Sequence, residues 1–341
     1  MRRIVLCLSH SIEEHDQLRL LHSIGHEVAS IGGYIDPAHP HDTKRPALPD
    51  IPPVPQIKAA VDAIGSDDNL GAAQARLPDA VLEWADTIIY HHYLDRLYGQ
   101  WPRIKDWLDG DSNRRVIWRT VGQSVDGNEH DAQAFRAQGL QIVRYSPKER
   151  NIPHYAGEDA LIRFYKDPAE WDGWTGDWPG VINITQHLRQ RDPYTNWGYW
   201  AQATAGLNAK PLGPGSEVIG GPGEMPLADM QDWLRRARAY LYTGTQPASY
   251  TLGLIEAMMT GIPVVSIGPA WMRLFAYGPD LFEGHEIAQV GSDDPAEANA
   301  ILRELLGLPE HAKRVGEQAR ARAIELFGID TIREQWRAYL A

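Results

Sequence analysis

The stretch Thr243-Gly-Thr-Gln-Pro-Ala-Ser-Tyr-Thr-Leu-Gly-Leu-Ile-Glu-Ala-Met-Met-Thr-Gly-Ile-Pro-Val-Val265 holds the densest chemical signal in the chain. An apolar strand ending at Tyr242 runs into a polar loop, and the pattern predicts a helix from near Ser249 to a stop at Gly261. A helix N-terminus facing the carboxyl end of a parallel strand is an anion site, because its N–H groups and dipole favour a phosphate. The backbone amides of Ser249, Tyr250, Thr251 and Leu252 would hold a diphosphate there. Glu256 follows Ser249 by about two turns, so both face one way, roughly 10 Å apart along the axis. A carboxylate only accepts hydrogen bonds, and at that distance it could take both hydroxyl protons of a ribose on the same nucleotide. The same spacing also suits an ordinary amphipathic helix whose Glu256 is solvated or caps something local.

Other residues with chemical capacity stand in shorter runs. Thr185-Gln-His-Leu-Arg-Gln-Arg-Asp192 follows a predicted strand, and its Arg189 and Arg191 offer guanidinium groups suited to a diphosphate. A solvated surface pair is the competing reading. His91 and His92 follow another strand at its carboxyl end, where cleft residues collect. Trp118-Arg-Thr-Val-Gly-Gln-Ser124 places Arg119 and Gln123 where they could hydrogen-bond a substrate, or where Trp118 and Arg119 simply seal the domain. The pairs His22 with His26 and His39 with His41 suggest a metal, but Gly25 breaks the first and no carboxylate spacing completes a site, so no metal is expected. Ile219-Gly-Gly-Pro-Gly223 is glycine-rich without being a dinucleotide fingerprint or a P-loop.

These groups need elements to carry them. Ile4–Leu8 reads as a buried strand, followed by a helix that stops at Gly25 and a strand at Val28–Ile31, which is a βαβ unit and implies a parallel sheet. Residues 37–55, rich in Pro, His and Asp, read as an exposed loop. Short apolar strands follow at Thr87–Tyr90, Val116–Trp118 and Gln141–Val143. The Trp- and Gly-rich stretch 158–179 reads as a domain connection. Alternation resumes with strands at Val181–Ile184, Glu217–Ile219, Ala239–Tyr242, Ile262–Ile267 and Ile287–Val290. Two α/β halves are expected. The last stretch, 298–340, is helical with one interruption at Gly328; Asp330 restarts it, and Ile332, Trp336 and Leu340 then share an apolar face.

Composition narrows the partners. The 341 residues carry a formal charge of −12, which argues against generic binding to nucleic acid or anionic lipid. The single cysteine, Cys7, lies in an apolar run and reads as a buried thiol. No apolar stretch reaches the roughly twenty residues of a membrane span, and the short run at the N-terminus does not resemble a secretory signal, so a cytoplasmic location is expected.

The segment Glu256-Ala-Met-Met-Thr-Gly-Ile-Pro-Val-Val265 resembles the donor-site signature of retaining nucleotide-sugar glycosyltransferases of the GT-B fold, the group with a Glu-x7-Glu motif. Glu256 takes the place of the second, ribose-binding glutamate, and Ala248 stands where the first would fall. Leu20–Val28, Pro226–Tyr242 and Phe327–Trp336 are similar to other parts of that fold. The resemblance implies two Rossmann-like, doubly wound domains facing across a hinged cleft. It assigns 1–170 to the acceptor side, 171–325 to the nucleotide sugar, and 326–341 to a helix packed back on the first domain. It implies a metal-independent hexosyltransferase without a cofactor, moving a sugar to an acceptor hydroxyl with retention. Arg189 or Arg191 would steady the departing diphosphate, Gly221 would lie near the base, and His10, His92, Arg119 and Gln123 would lie on the acceptor side. A nucleotide-sugar-binding protein without transfer activity, an epimerase of the same fold, and a modified DNA base as acceptor remain alternatives.

Overall fold

The computed structural model describes residues 1–7, 10–39, 44–64, 69–122, 124–268 and 293–341. Gln123, His41 and the expected strand Ile287–Val290 lie outside them. The chain divides into two compact units, Met1–Arg163 with Ile332–Ala341, and Phe164–Thr331.

The first unit is built on a six-stranded parallel sheet. Its strands are β1 (Arg3–Cys7), β2 (Glu27–Ser30), β3 (Thr87–His91), β4 (Arg115–Arg119), β5 (Gln141–Arg144) and β6 (Ala160–Leu161), in the order β2-β1-β3-β4-β5-β6. Runs such as Ile4-Val-Leu suit a strand covered on both faces, which is what a parallel sheet demands. Val5, Cys7, Ile88, Tyr90, Val116, Trp118 and Ile142 form one core with the helices Pro55–Asp62, Asp79–Trp84 and Trp101–Asp109. The helix Ser11–Ser23 is followed by Gly25 at a φ of 88°, a left-handed position that glycine takes without steric cost. The described residues of segment 37–55, expected to be an exposed loop, are exposed at about half of their positions, but Leu48 and Ile51 are buried. These two apolar side chains were outweighed in the sequence by their Pro and Asp neighbours.

The C-terminal helix, Ile329–Leu340, completes this unit from Ile332 onward. Ile332, Trp336 and Leu340 are all buried. Arg2 Nε donates to Leu340 O at 2.7 Å, and Tyr339 donates its hydroxyl proton to Gln141 Oε1 at 2.8 Å. The Arg119 guanidinium lies 5.8 Å from the Trp336 ring centre, and Arg333 Nε donates to Ser23 Oγ at 3.0 Å. The chain therefore returns to its first half at its end.

In the second unit the described strands are β7 (Trp178–Ile184), β8 (Ala209–Leu212), β9 (Ala237–Tyr242) and β10 (Val264–Ser266), all parallel, in the order β10-β9-β7-β8. The expected strand at Glu217–Ile219 is absent. Residues Ser216–Ile219 form a single 3-10 turn bracketed by left-handed Gly215 and Gly220, and the strand lies earlier at Ala209–Leu212. Pro211 hid it, since proline argues against a strand except at a sheet edge, and β8 is at the edge among the described strands. The C-terminal helical stretch has a second break that the pattern did not show. One helix, Pro295–Gly307, ends before Pro309 opens the next, Pro309–Phe327.

Candidate functional site

In the second sheet the chain leaves β7 toward β8 on one side and returns as β9 on the other. Such a reversal opens a crevice at the carboxyl ends of the two central strands. The loops that follow β7 and β9 are stitched together there. Asn183 Nδ2 donates to Leu241 O at 2.8 Å, Asn196 Nδ2 to Thr243 O at 2.7 Å, and Gln246 Nε2 to Asn196 Oδ1 at 3.2 Å. The backbone N–H of Gln246 donates to Tyr194 O at 2.7 Å. These neutral amides tie the ends of β7 and β9 and the loops after them together.

The helix after β9 runs Leu252–Thr260 and is capped by Thr251, whose Oγ1 accepts from the Leu254 N–H at 3.4 Å. It starts three residues later than expected from the Ser249 pattern. Residues ahead of the cap are held by other contacts: Ala248 N donates to Thr245 O, and Tyr250 packs edge-on against Phe164 and Phe327 at 5.9 and 5.3 Å. Glu256 therefore sits about one turn inside the helix, roughly 6 Å from its first residue along the axis. A Cβ on Gly253 would stand 3.4 Å from Ile184 O, so this glycine lets the helix start close against the end of β7. Gly261 ends the helix in the left-handed conformation, as its position predicted.

Glu256 is only 3% exposed, and its Oε1 lies 2.8 Å from the Nζ of Lys166, itself 2% exposed. This partner stands far upstream, in the stretch expected to be a domain connection, where no local spacing points to it. Lys166 also donates its backbone N–H to Phe327 O at 2.9 Å and forms a parallel bridge with Gly328. Arg189 and Arg191 occupy the turn after β7 and are exposed, with the Arg189 guanidinium 5.9 Å from the Trp197 ring centre. Gly221 is needed by its own loop: a Cβ there would fall 2.2 Å from Pro211 O and 2.5 Å from Ser216 Oγ.

The first sheet has its own reversal between β1 and β3. His10 caps the helix Ser11–Ser23, its Nδ1 accepting from the Glu13 N–H at 3.4 Å. His92 follows β3 at a φ of 65°. Burial, then the nearby charge of His10, push the His92 imidazole below its usual pKa, while Asp95 opposes them. His91 is buried, and desolvation with the adjacent Arg119 brings its pKa down to about 3, so it is neutral at ordinary pH. Arg119 is completely buried, and its Nη1 donates to Arg144 O at 3.0 Å and to Ile162 O. Of the two readings of Trp118 and Arg119, sealing the unit is the one these contacts fit.

A buried network that no local spacing in the sequence points to joins β5, the residue that follows β4 and the helix Asp126–Arg136. Arg144 donates bidentately to Glu129 at 2.6 and 2.7 Å, and its Nη1 stands 3.6 Å from Glu149 Oε1. Glu149 Oε2 accepts from Thr120 Oγ1 at 2.9 Å and from the Tyr145 and Ser146 N–H groups. Burial raises the Glu149 pKa to about 7, against the opposing pull of Arg144 and these hydrogen bonds. Among the described residues, no group of three or more His, Cys, Asp or Glu side chains could hold a metal ion, and no helix is long and apolar enough to cross a membrane.

No family model and no curated protein sequence matches the chain. Solved structures do. HepE from Anabaena, in complex with UDP and glucose, is 14% identical over 100% of this chain and 99% of its own, with a TM-score of 0.66. A glycosyltransferase from Rickettsia africae is 10% identical over 99% and 97%, with a TM-score of 0.68. Sucrose-phosphate synthase from Thermosynechococcus elongatus is 15% identical over 99% and 98%, with a TM-score of 0.65. At these identities the likeness establishes the fold, and that fold is GT-B, the α/β architecture of these glycosyltransferases.

Proposed function

We infer that the chain is a glycosyltransferase that moves a sugar from a nucleoside-diphosphate sugar to an acceptor hydroxyl, with retention at the anomeric carbon. The observation that carries this reading is a helix N-terminus at the reversal point of the second sheet, with the buried carboxylate of Glu256 one turn behind it. Backbone amides around Ser249 to Leu252 receive the diphosphate, and Glu256 accepts from the ribose hydroxyls. A carboxylate has roughly four lone-pair sites, so the Lys166 pair and the ribose are compatible partners. The exposed Arg189 and Arg191 turn onto the diphosphate as charge gathers on it. The bond from the anomeric carbon to the diphosphate oxygen breaks with its electron pair, the acceptor oxygen bonds to the same face, and its proton passes to the leaving diphosphate. His10 and His92 engage the acceptor on the first unit. The complex of HepE with UDP and glucose supports a uridine donor as the first probe.

Ala248, standing where the related motif has its first glutamate, favours a second reading as a nucleotide-sugar-binding protein without transfer. Incubation with UDP-, GDP- and ADP-linked hexoses, followed for release of the nucleoside diphosphate with and without EDTA, separates the two. Turnover or slow donor hydrolysis that survives the chelator is expected. Tight binding with neither would establish the second reading. Glu256→Gln should weaken nucleotide binding by about 1–3 kcal/mol, and an unchanged affinity in a folded variant would remove Glu256 from the site.

A further inference from the structure

The buried pair between Lys166 and Glu256 joins two stretches that the sequence keeps apart. Phe164, Tyr165 and Lys166 run beside Phe327 and Gly328, fixed by the Lys166 N–H to Phe327 O bond and the bridge to Gly328. From this ribbon Phe164 and Phe327 pack on Tyr250, while Lys166 reaches the carboxylate of Glu256. Arg320 adds a third tie, donating to Met259 O, Trp171 O and, at 2.9 Å, Pro168 O. The helix Leu252–Thr260 is thus anchored before its start, at its middle and near its end by residues 164–171 and 320–328.

We propose that Lys166 is a positioning residue for donor recognition: by pairing with Oε1 of Glu256 it fixes the carboxylate so that both ribose hydroxyls are read. The proposal rests on the donor reading given above. A glutamate side chain has three rotatable bonds, and holding one oxygen from below restricts where the other can point. A ribose diol needs an acceptor in a defined place, and a carboxylate that swings would hold one hydroxyl at a time. Charge acts in the same direction. The Lys166 ammonium sits within a buried environment that includes the Trp171 ring, 5.7 Å from its Nζ, so it balances Glu256 where solvent does not. The consequence is selectivity for ribonucleotides over deoxyribonucleotides that depends on a residue touching no nucleotide.

The test is a double-mutant cycle on binding, using UDP, GDP and ADP with their 2′-deoxy counterparts, read by calorimetry on the full chain. The wild type should bind one ribonucleotide and prefer it to the deoxy form. Lys166→Met should lower that affinity about tenfold and collapse the preference, whereas in a Glu256→Gln background the same change should matter less than about twofold, because no carboxylate is left to aim. Lys166→Gln, whose amide can still donate to the carboxylate, should keep most of the preference, and if the methionine variant does not fold, a glutamine variant that loses the preference overturns the proposal. Equal losses for ribose and deoxyribose ligands, or additive losses in the cycle, would show Lys166 to be merely structural and overturn the proposal while leaving the donor reading intact. Failure of every nucleotide to bind the wild type would overturn the donor reading, and this inference with it.

Discussion

The two sheets end in opposite ways. At the carboxyl end of the first, charge is buried and answered internally: Arg144 is clasped by Glu129, faces Glu149, and lies with its guanidinium carbon 5.1 Å from the Trp118 ring centre. Nη1 of Arg119 donates to two backbone carbonyls, and His91 is held neutral. At the carboxyl end of the second sheet the strand ends and loops are joined by neutral amides of Asn183, Asn196 and Gln246, and the arginines of the turn after β7 face water. A buried ion pair, Glu256 with Lys166, lies a turn inside the following helix. The difference bears on what each edge can bind. A guanidinium clasped by a carboxylate, as Arg144 is by Glu129, can take a new partner only by giving up existing hydrogen bonds and leaving its neighbour unpaired, whereas a carboxylate such as Glu256 can accept at more than one site. Exposed guanidinium groups beside an ordered crevice can turn onto an anion at little cost beyond side-chain ordering.

The largest effect should come from breaking the first edge. Arg144→Met leaves Glu129 and Glu149 buried without their shared cation, and removal of one partner from a buried pair costs about 3–5 kcal/mol. Urea denaturation followed by tryptophan fluorescence should show the loss. A change below about 1 kcal/mol would mean that solvent reaches this network and that the contrast between the edges is overstated.

A somewhat smaller effect should appear in the pH dependence of stability. Burial raises the Glu149 pKa from 4.5 to about 7, so the folded chain keeps a proton that the unfolded chain has released. The stabilisation from that proton is full below about pH 4.5 and is lost as pH rises through about 7, a difference on the order of 3 kcal/mol. Glu149→Gln cannot ionise and should flatten this part of the profile. Equal slopes for the two proteins between pH 4.5 and 7.5 would show that Glu149 is already ionised in the folded state.

Much of this was readable beforehand, and the failures have physical causes. β1, β3, β4 and β5 stood out because strands covered on both faces are continuous apolar runs, and the terminal helix because its apolar residues recur every fourth position. Glu256 was found through a local motif. Its partner Lys166 was invisible, since long-range ion pairs leave no trace in spacing, and the same holds for Arg144 with Glu129. The late helix start at Leu252 was missed because Ser249 is as good a capping type as Thr251, and only the packing of Tyr250 on Phe164 and Phe327 decides between them. The strand at Ala209–Leu212 was masked by an edge proline.

The smallest expected effect falls on the second edge and sharpens the contrast most directly. Arg189 and Arg191 are exposed on the turn after β7, so removing either should leave stability within about 0.5 kcal/mol, as surface substitutions do. Their effect on ligand should be selective. A guanidinium that closes onto a diphosphate contributes charge-assisted hydrogen bonds, and losing one costs about 1.5–3 kcal/mol of binding to a nucleoside diphosphate. The same substitution should leave binding of the bare nucleoside unchanged, because the base and ribose meet other groups. Arg189→Ala and Arg191→Ala, each titrated with UDP and with uridine, read this difference without requiring turnover. Raising the salt concentration should weaken the wild-type affinity for UDP more than that of the responsible variant, since the attraction removed is between charges near water. If both variants bind UDP as the wild type does, the arginines are solvated surface charges. The helix amides alone would then carry the diphosphate, and the Glu256 carboxylate would be the charged group that the second edge offers to the nucleotide.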